Sequence, residues 1–486
     1  MIHQYKNNGF HICLDVNSGC VHVVDELVYE LLPLMEEILK RDGIKASTQE
    51  VPVEQRNAIT LECLKQTQHK SEEISETQVR EAVDEILELT MAEMLFAEDI
   101  YEDYIESFKN RETVVKALCL HIAHDCNLAC RYCFAEEGEY HGRRAFMSYE
   151  VGKKALDFLV ENSGNRINLE VDFFGGEPLM NWQVVKDLVA YGRSLEKANN
   201  KKFRFTLTTN GVLLDDDIME FANREMSNLV LSIDGRKEIH DLMRPYRGGQ
   251  GSYDRIVPKF IKAAESRKQM DYYVRGTFTH NNLDFAEDVL HLAELGFKQI
   301  SVEPVVTEET EPYAIKPEDI PVIKEEYDRL AKMMIEKSGQ GEGFNFFHFM
   351  LDLSGGPCAA KRLSGCGSGT EYLAVTPWGD FYPCHQFVGK EEFIMGNVET
   401  GIVKTEIREE FKACNVYAKE ECQNCFAKFY CSGGCAANAY NYKGTINGVY
   451  DPGCELQRKR VECAIMIKAA MAEDEKEIDN EKEQGN

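Results

Sequence analysis

The sequence predicts an α/β protein built as three consecutive blocks. Residues 116–340 alternate strand-like and helical stretches, which is the pattern of repeated βα units that form a parallel sheet. Residues 1–95 carry a smaller pattern of one hairpin and three helices. The chain also contains 17 cysteines, most of them in one loop and in the C-terminal block, and this distribution indicates metal or redox chemistry.

The N-terminal block, residues 1–95, is expected to form a small winged-helix-like domain. Two apolar runs around an Asn-Ser-Gly turn predict a β-hairpin over residues 10–24. Helices are predicted over residues 26–40, over 53–68 and from a capping box at Ser75 onward. Pro33 is expected to break or kink the first helix. By its layout the block resembles the RiPP recognition element, a peptide-recognition domain that binds a leader peptide by adding it as a strand to a sheet edge. A DNA-binding winged helix and a dimerisation domain are the alternatives, but a net charge of −28 argues against DNA.

The central block follows a helical linker over residues 96–115 and is expected to be a partial (β/α)6 barrel of the TIM type. Its predicted strands are Leu118–His124, Ile167–Phe174, Phe203–Thr209, Leu229–Ile233, Tyr272–Thr279 and Gln299–Val306. Its predicted helices are Tyr149–Glu161, Trp182–Lys197, Asp215–Met226, Tyr253–Arg267, Phe285–Leu295 and Pro317–Lys337. In such barrels the chemistry lies at the carboxyl ends of the strands.

A loop with three cysteines directly follows the first predicted strand. Its sequence is Cys126-Asn-Leu-Ala-Cys130-Arg-Tyr-Cys133. Thiolates favour iron–sulfur clusters or zinc, and a closed zinc site needs a fourth ligand from elsewhere in the chain. Three thiolates on one tight loop instead suit a [4Fe–4S] cluster that keeps one iron open for a substrate or cofactor. The alternative is a zinc loop.

This spacing resembles the signature of the radical S-adenosylmethionine (radical SAM) enzymes. The resemblance implies that Cys126, Cys130 and Cys133 hold the cluster and that Tyr132 packs near the adenine of SAM. In that family the cluster and SAM together give a 5′-deoxyadenosyl radical, which removes a hydrogen atom from an unactivated carbon. By the same resemblance, further SAM contacts are Gly175, Gly176, Glu177, Asn210, Ser232 and Arg244. Gly175, Gly176 and Glu177 belong to the run Gly-Gly-Glu-Pro178, which taken alone would indicate an ordinary tight turn.

The C-terminal block, residues 341–470, carries nine cysteines between Cys358 and Cys454. Its spacing resembles the SPASM extension of radical SAM peptide maturases. By that pattern one auxiliary [4Fe–4S] cluster is held by Cys422, Cys425, Cys431 and Cys454. The other is held by Cys366, Cys384 and Cys435, with Cys358 as a candidate fourth ligand. Cys414 fits no motif position and is expected to be structural, and the acidic tail, residues 471–486, is expected to be a frayed helix end and a disordered terminus.

The whole chain resembles the maturases of SCIFF peptides, which couple a cysteine sulfur to a threonine carbon in a cysteine-rich precursor. Another SPASM peptide-modifying oxidase is an alternative. Sulfatase maturases are the other, because they share the SPASM pattern and oxidise a Cys or Ser in a substrate protein to formylglycine. They carry an Asp directly after the cysteine that matches Cys384, whereas this chain has His385 there. His385 is therefore the one candidate for a catalytic residue. A zinc-binding scaffold protein is the non-enzymatic alternative.

The expected cofactors are three [4Fe–4S] clusters and SAM. The expected partners are a short cysteine-rich precursor peptide, bound through its leader by the N-terminal domain, and an external one-electron reductant of the flavodoxin or ferredoxin type. No basic stripe for nucleic acid, no signal peptide and no apolar run of membrane-spanning length are present in the sequence. These features predict a soluble, cytoplasmic protein.

Overall fold

The computed structural model describes residues 1–45, 50–68, 74–140, 142–353 and 359–484. The strands are β1 Ile2–Asn7, β2 Phe10–Asp15, β3 Val21–Val23, β4 Ala117–His124, β5 Ala145–Phe146, β6 Asn168–Gly175, β7 Lys202–Thr209, β8 Met226–Ser232, β9 Tyr272–Phe278, β10 Gln299–Pro304, β11 Asn345–Phe346, β12 Tyr372–Val375, β13 Asp380–Tyr382, β14 Gly396–Asn397 and β15 Gly401–Ile402. The helices are α1 Glu26–Arg41, α2 Val53–Gln68, α3 Glu76–Met91, α4 Ile105–Lys109, α5 Tyr149–Glu161, α6 Trp182–Asn199, α7 Asp216–Glu225, α8 Lys237–Met243, α9 Tyr253–Ser266, α10 Phe285–Glu294, α11 Ile320–Gly339, α12 Ala359–Ser364, α13 Thr405–Ala413, α14 Glu420–Gln423, α15 Lys428–Cys431, α16 Ala436–Lys443 and α17 Asp451–Gln484.

The N-terminal block is a three-stranded antiparallel sheet followed by three helices. The predicted hairpin is present as β2 and β3, and β1, which the sequence did not predict, pairs with the other edge of β2. The expectation that Pro33 breaks α1 is wrong, because the helix continues through it with Asp25 as its N-cap. The buried faces of α1, α2 and α3 form a core of their own, with Leu31, Met35, Val83 and Ile86 at its centre. This packing stabilises α1 as a continuous helix even though Pro33 removes one main-chain hydrogen bond.

The central block contains the six parallel strands that the sequence predicts. Their spatial order follows the chain, β4-β6-β7-β8-β9-β10, and each pair of neighbours is parallel. Apolar residues alternate along β6 and β7, and the buried set packs under the helices. The side chains of the other set face the opposite side of the sheet, where polar residues accumulate toward the carboxyl ends.

The sheet continues into the C-terminal block at both of its ends. β11 adds to β10 in parallel, and β12 adds to β4 in parallel before the antiparallel strands β13, β14 and β15. The cysteine-rich block is therefore joined to the central sheet by main-chain hydrogen bonds. The sequence did not predict these short strands, because their partners lie far away along the chain.

The last helix, α17, begins at Asp451 and packs along α11. Arg460 on α17 donates to the hydroxyl of Tyr327 on α11 at 2.8 Å. The acidic tail was expected to be a frayed helix end and a disordered terminus; the helix continues to Gln484, and residues 485–486 lie outside the described residues. Glu, Lys and Ala have high helix propensity, which accounts for the continuation. Across the described ranges, none of the helices combines the length and apolarity needed to cross a bilayer.

Candidate active site

The three-cysteine loop follows β4 and is held by main-chain contacts with the segment after α8. The amide of Ala129 donates to the carbonyl of Pro245 and that of Arg131 donates to the carbonyl of Met243, each at 2.9 Å. Leu128 forms an isolated antiparallel bridge with Tyr246. Residues 128–131 of the loop are thus fixed against residues 243–246.

Cys126, Cys130 and Cys133 line one cavity of about 280 Å³. Burial raises the pKa of Cys126 well above its ordinary value and that of Cys130 to about 12, although the Arg244 guanidinium lowers the pKa of Cys130. Buried thiols of this kind become thiolates when a metal centre supplies the compensating positive charge. The donor set fits an iron–sulfur cluster with thiolate ligands on one loop.

Gly175 is the last residue of β6 and Gly176 follows it directly behind this loop, and both line the cavity. Gly175 has a φ of +120°, and a Cβ at Gly176 would lie 2.0 Å from the carbonyl oxygen of Asp125. The amide of Gly176 also donates to the carbonyl of Ala123 at 2.7 Å. The two glycines therefore allow the end of β6 to pack on the base of the cysteine loop.

Glu177 is fully buried and does not line the cavity. Its carboxylate accepts hydrogen bonds from the hydroxyl of Thr209 and the amide of Asn210, at the end of β7, each at 2.8 Å. It also accepts from the amide of Leu179 at 3.0 Å. Burial raises the pKa of Glu177 to about 7, although these hydrogen bonds lower it. The structure thus gives this carboxylate a role in holding two strand ends together.

Tyr132 and Arg244 meet at Asp234, which is fully buried. The Tyr132 hydroxyl lies 2.7 Å from each oxygen of Asp234, and Arg244 Nε donates to Asp234 Oδ1 at 2.9 Å. The Arg244 guanidinium lies 5.4 Å from the centre of the Tyr132 ring. Asp234 belongs to the run Leu231-Ser-Ile-Asp-Gly235 at the end of β8, and it was not among the residues predicted to contact SAM.

Asn210 and Ser232 also line the cavity, at the ends of β7 and β8. Asn210 Nδ2 donates to Asn127 Oδ1 at 2.7 Å and lies 3.6 Å from Cys126 Sγ. The structure therefore brings Tyr132, Gly175, Gly176, Asn210, Ser232 and Arg244 to the same cavity as the three cysteines. Glu177 is the one candidate from this set that lies behind the cavity wall.

Residues of β9, β10 and the C-terminal block also line the cavity. Arg275 lies in the middle of β9 and Glu303 near the end of β10, while His385, Gln386 and Asn438 reach the cavity from the cysteine-rich segments. Burial lowers the pKa of His385 to about 4, so the imidazole is neutral at neutral pH, and its Nδ1 lies 3.1 Å from the Tyr372 hydroxyl. Sequence reasoning missed Arg275 and Glu303, since strand-end polarity alone does not distinguish them from structural residues.

The C-terminal cysteines gather in two places. Cys422, Cys425, Cys431 and Cys454 line a single cavity of about 220 Å³. Cys384 lies close enough to Cys366 and Cys435 that their negative charges raise its pKa further, although burial is the larger cause. Cys366 shares a small cavity with Cys414, whose thiol donates to the carbonyl of Ile446 at 3.4 Å. Cys358 lies outside the described residues.

Two family profiles match this chain. The radical SAM superfamily matches residues 120–269, and the SPASM iron–sulfur cluster-binding domain matches residues 366–426. A cysteine-type anaerobic sulfatase-maturating enzyme of Clostridium perfringens strain 13 is 26% identical over 340 residues, which are 64% of this chain and 85% of that protein. The subtilosin biosynthesis protein AlbA of Bacillus subtilis is 25% identical over 284 residues, 57% of this chain and 56% of AlbA.

A solved structure, native anSMEcpe with bound AdoMet, has the same fold over much of the chain. It superposes with a TM-score of 0.60 at 22% identity and covers 73% of this chain and 99% of its own. The segment that matches the radical SAM superfamily contains the three-cysteine loop and most of the residues around its cavity. The chain thus combines a radical SAM domain with a SPASM domain, a type described as iron–sulfur cluster-binding.

Proposed function

We propose that this enzyme installs cysteine-to-threonine thioether cross-links in a short, cysteine-rich precursor peptide of the SCIFF type. The observation that carries the proposal is the composition of the main cavity. The three-cysteine loop lines this cavity, and so do His385 and Asn438, which lie close in the chain to Cys384 and Cys435. A substrate in this cavity would be close to both the radical source and one auxiliary set of cysteines.

The residues present fit three [4Fe–4S] clusters and SAM. Cys126, Cys130 and Cys133 would hold the first cluster with one iron open for SAM. The two auxiliary clusters would be held by Cys422, Cys425, Cys431 and Cys454, and by Cys366, Cys384 and Cys435 with Cys358 as the candidate fourth ligand. Four cysteines within fourteen residues, from Cys422 to Cys435, exceed one tetrahedral zinc site, and three of them share their cavity with Cys454.

When bound, these groups supply a 5′-deoxyadenosyl radical and an electron acceptor, so that S–H and C–H can become S–C with loss of two hydrogens from the peptide. The residues of the chain position the reactants. Asp234 keeps Arg244 and Tyr132 oriented toward the cavity, where a guanidinium suits the carboxylate of SAM and the phenol ring suits its adenine. Neutral His385 can accept a hydrogen bond from the substrate thiol or simply line the cavity.

The N-terminal domain offers a site for the leader of the precursor. β3 is an edge strand, and a groove of about 480 Å³ runs beside it. The groove is lined by apolar residues of β3 and α3, including Val23, Ile86 and Leu89, and by Ile465 and Lys468 of α17. An extended peptide can add to such an edge as a further strand and place alternate side chains in the groove. An external flavodoxin- or ferredoxin-type protein would supply the electrons.

Formylglycine formation is the second candidate, because a relative is a sulfatase-maturating enzyme. The two reactions differ in the fate of the substrate sulfur. A thioether retains the sulfur and loses two hydrogens for each cross-link, whereas oxidation of Cys to formylglycine removes the sulfur. His385 in place of the expected Asp, together with the groove in the N-terminal domain, favours the peptide cross-linking reaction.

The test is co-expression with a short cysteine-rich precursor, followed by mass spectrometry of the peptide. We expect loss of two hydrogens per cross-link and linked Cys–Thr fragments, and a protein that contains iron and sulfide. The matched control replaces Cys126, Cys130 and Cys133 by Ala, which should abolish 5′-deoxyadenosine formation while iron remains in the auxiliary sites. Loss of sulfur from the peptide would indicate formylglycine formation instead. Zinc without iron in the purified protein would indicate a scaffold protein.

A further inference from the structure

The main cavity contains an ion pair that neither the cysteine loop nor the candidate SAM contacts account for. Arg275 Nη2 donates to Glu303 Oε1 at 3.0 Å, and the two side chains remain 48% and 37% exposed. Both line the cavity. The other cavity-lining arginine, Arg244, is only 12% exposed and already bonded to a buried carboxylate. Arg275 and Glu303 therefore present the most accessible charge in the cavity.

The pair is placed by the parallel register of the sheet. Glu303 is paired with Thr277 and Arg275 with Ser301, so both side chains project from the same face of the sheet, Arg275 from the middle of β9 and Glu303 from near the end of β10. The amide side chains of Gln386 and Asn438 line the cavity too. This wall combines donors and acceptors, whereas Phe134 and Phe174 supply aromatic surface in the same cavity.

We propose that Arg275 and Glu303 position the reacting segment of the peptide by bonding its main-chain amides. An extended peptide offers a carbonyl and an N–H side by side, and a guanidinium beside a carboxylate offers the complementary donor and acceptor. Within the part of the chain that the structure describes, the bond to Glu303 is the one hydrogen bond of the Arg275 guanidinium. Its remaining N–H groups are available to a ligand. This inference rests on the proposed peptide substrate, and it assigns to Arg275 and Glu303 the part of the cavity that would contact the peptide main chain.

The experiment compares Arg275→Gln and Glu303→Gln with wild type and with Arg275→Lys. The matched control is Arg204→Gln. Arg204 on β7 and Glu170 on β6 form a similarly exposed pair on adjacent strands, near the amino ends of those strands and not among the residues that line the cavity. Two quantities are measured: affinity for a leaderless fragment of the precursor without turnover, and the ratio of 5′-deoxyadenosine formed to peptide modified. SAM affinity is measured in parallel.

We expect the two Gln variants to bind the leaderless fragment about tenfold more weakly and to produce correspondingly more 5′-deoxyadenosine per modified peptide. Arg275→Lys should recover part of the affinity, and Arg204→Gln should match wild type. Fragment affinity and coupling equal to wild type in both Gln variants would overturn the inference, as would a larger loss of SAM affinity than of fragment affinity. Wild-type protein that binds the fragment but forms a different product would refute the proposed reaction alone, whereas wild-type protein that does not bind the fragment would refute both.

Discussion

Asp234 shows how a single residue can organise the site while leaving little trace in the sequence. It accepts hydrogen bonds from the Tyr132 hydroxyl, from Arg244 Nε and from the amide of Thr277. Tyr132 and Arg244 were predictable because they fall in or near a recognisable motif. Asp234 was not, because one carboxylate in a strand-end run is an ordinary feature until the fold brings its partners together over about a hundred residues of chain.

Asp234→Asn should weaken SAM binding about tenfold, because the amide cannot accept from Tyr132 and Arg244 with the same strength as a carboxylate. Isothermal titration of the reconstituted protein with SAM measures the change. Asp319→Asn is the control, since Asp319 is another buried acid and pairs with His280 outside the cavity. Equal SAM affinity in wild type and Asp234→Asn would mean that the carboxylate serves stability alone.

Asp172 predicts a pH dependence of stability. Burial and repulsion from Glu170 raise the pKa of Asp172 to about 6, although a hydrogen bond from Thr206 lowers it. The folded state therefore holds this proton more tightly than the unfolded chain, and stability falls as pH rises from about 4 to about 6. Asp172→Asn should remove this contribution, which is on the order of 3 kcal/mol.

Urea denaturation of both proteins between pH 4.5 and pH 8 measures the difference in the free energy of unfolding. The variant should gain stability relative to wild type as pH rises, with the gain complete above about pH 7. Glu170→Gln serves as a control that keeps Asp172 and weakens the repulsion. A constant difference between Asp172→Asn and wild type across the range would contradict the raised pKa.

At the scale of elements, sequence periodicity predicted the six parallel strands and the helices between them to within a few residues. The apolar alternation of β6 and β7 and the N-caps of their helices are local signals. They suffice to predict that an element exists and whether it is a strand or a helix. β1, β11 and β12 were missed because each is defined by its partner. These strands are two to six residues long, which is too short for an apolar alternation to be recognised in the sequence, and their partners lie elsewhere in the chain.

The edge of β3 predicts where a leader peptide would bind. Asp15 N donates to Cys20 O and Val24 N donates to His11 O, so the amides of Val21 and Val23 face away from β2. Val23→Pro should remove one outward N–H without disturbing the ladder between β2 and β3. We expect at least about tenfold weaker binding of the full precursor, measured by fluorescence anisotropy.

Val23→Ala is the matched control, because it shortens the same side chain and keeps the amide. The melting temperature of both variants should remain close to that of wild type. Equal precursor affinity in Val23→Pro and Val23→Ala would show that main-chain addition at this edge does not contribute.

At the scale of the whole molecule, the N-terminal domain packs on the segment around Cys425 and Cys431. His3 stacks on Phe426 with ring centres 3.4 Å apart, and Tyr101 packs edge-on against Phe429. Asp99, in the segment that leaves the N-terminal domain, accepts from Lys428 Nζ at 2.8 Å and from the Tyr417 hydroxyl at 2.7 Å. Sequence reasoning treated these blocks as separate, since the contacts join residues more than 300 positions apart.

Lys428 lines the cavity formed by Cys422, Cys425, Cys431 and Cys454, and its side chain is 3% exposed. Burial tends to raise the pKa of Asp99, but hydrogen bonds from Lys428 and Tyr417 lower it overall, so the Asp99 carboxylate is ionised at neutral pH. Asp99→Asn would leave the positive charge of Lys428 without its counter-charge beside the thiolates. A less compensated cation next to a cluster stabilises its reduced, more negative state.

We therefore expect Asp99→Asn to raise the reduction potential of the auxiliary cluster in this cavity and to destabilise the fold by about 3 kcal/mol. Redox titration followed by electron paramagnetic resonance measures the potential, and denaturation measures the stability. Tyr417→Phe is the control, because it removes a neutral hydrogen bond to Asp99 and leaves the ion pair in place. If Asp99→Asn and Tyr417→Phe shift the potential equally, the packing of the N-terminal domain, rather than the charge of Asp99, governs this cluster.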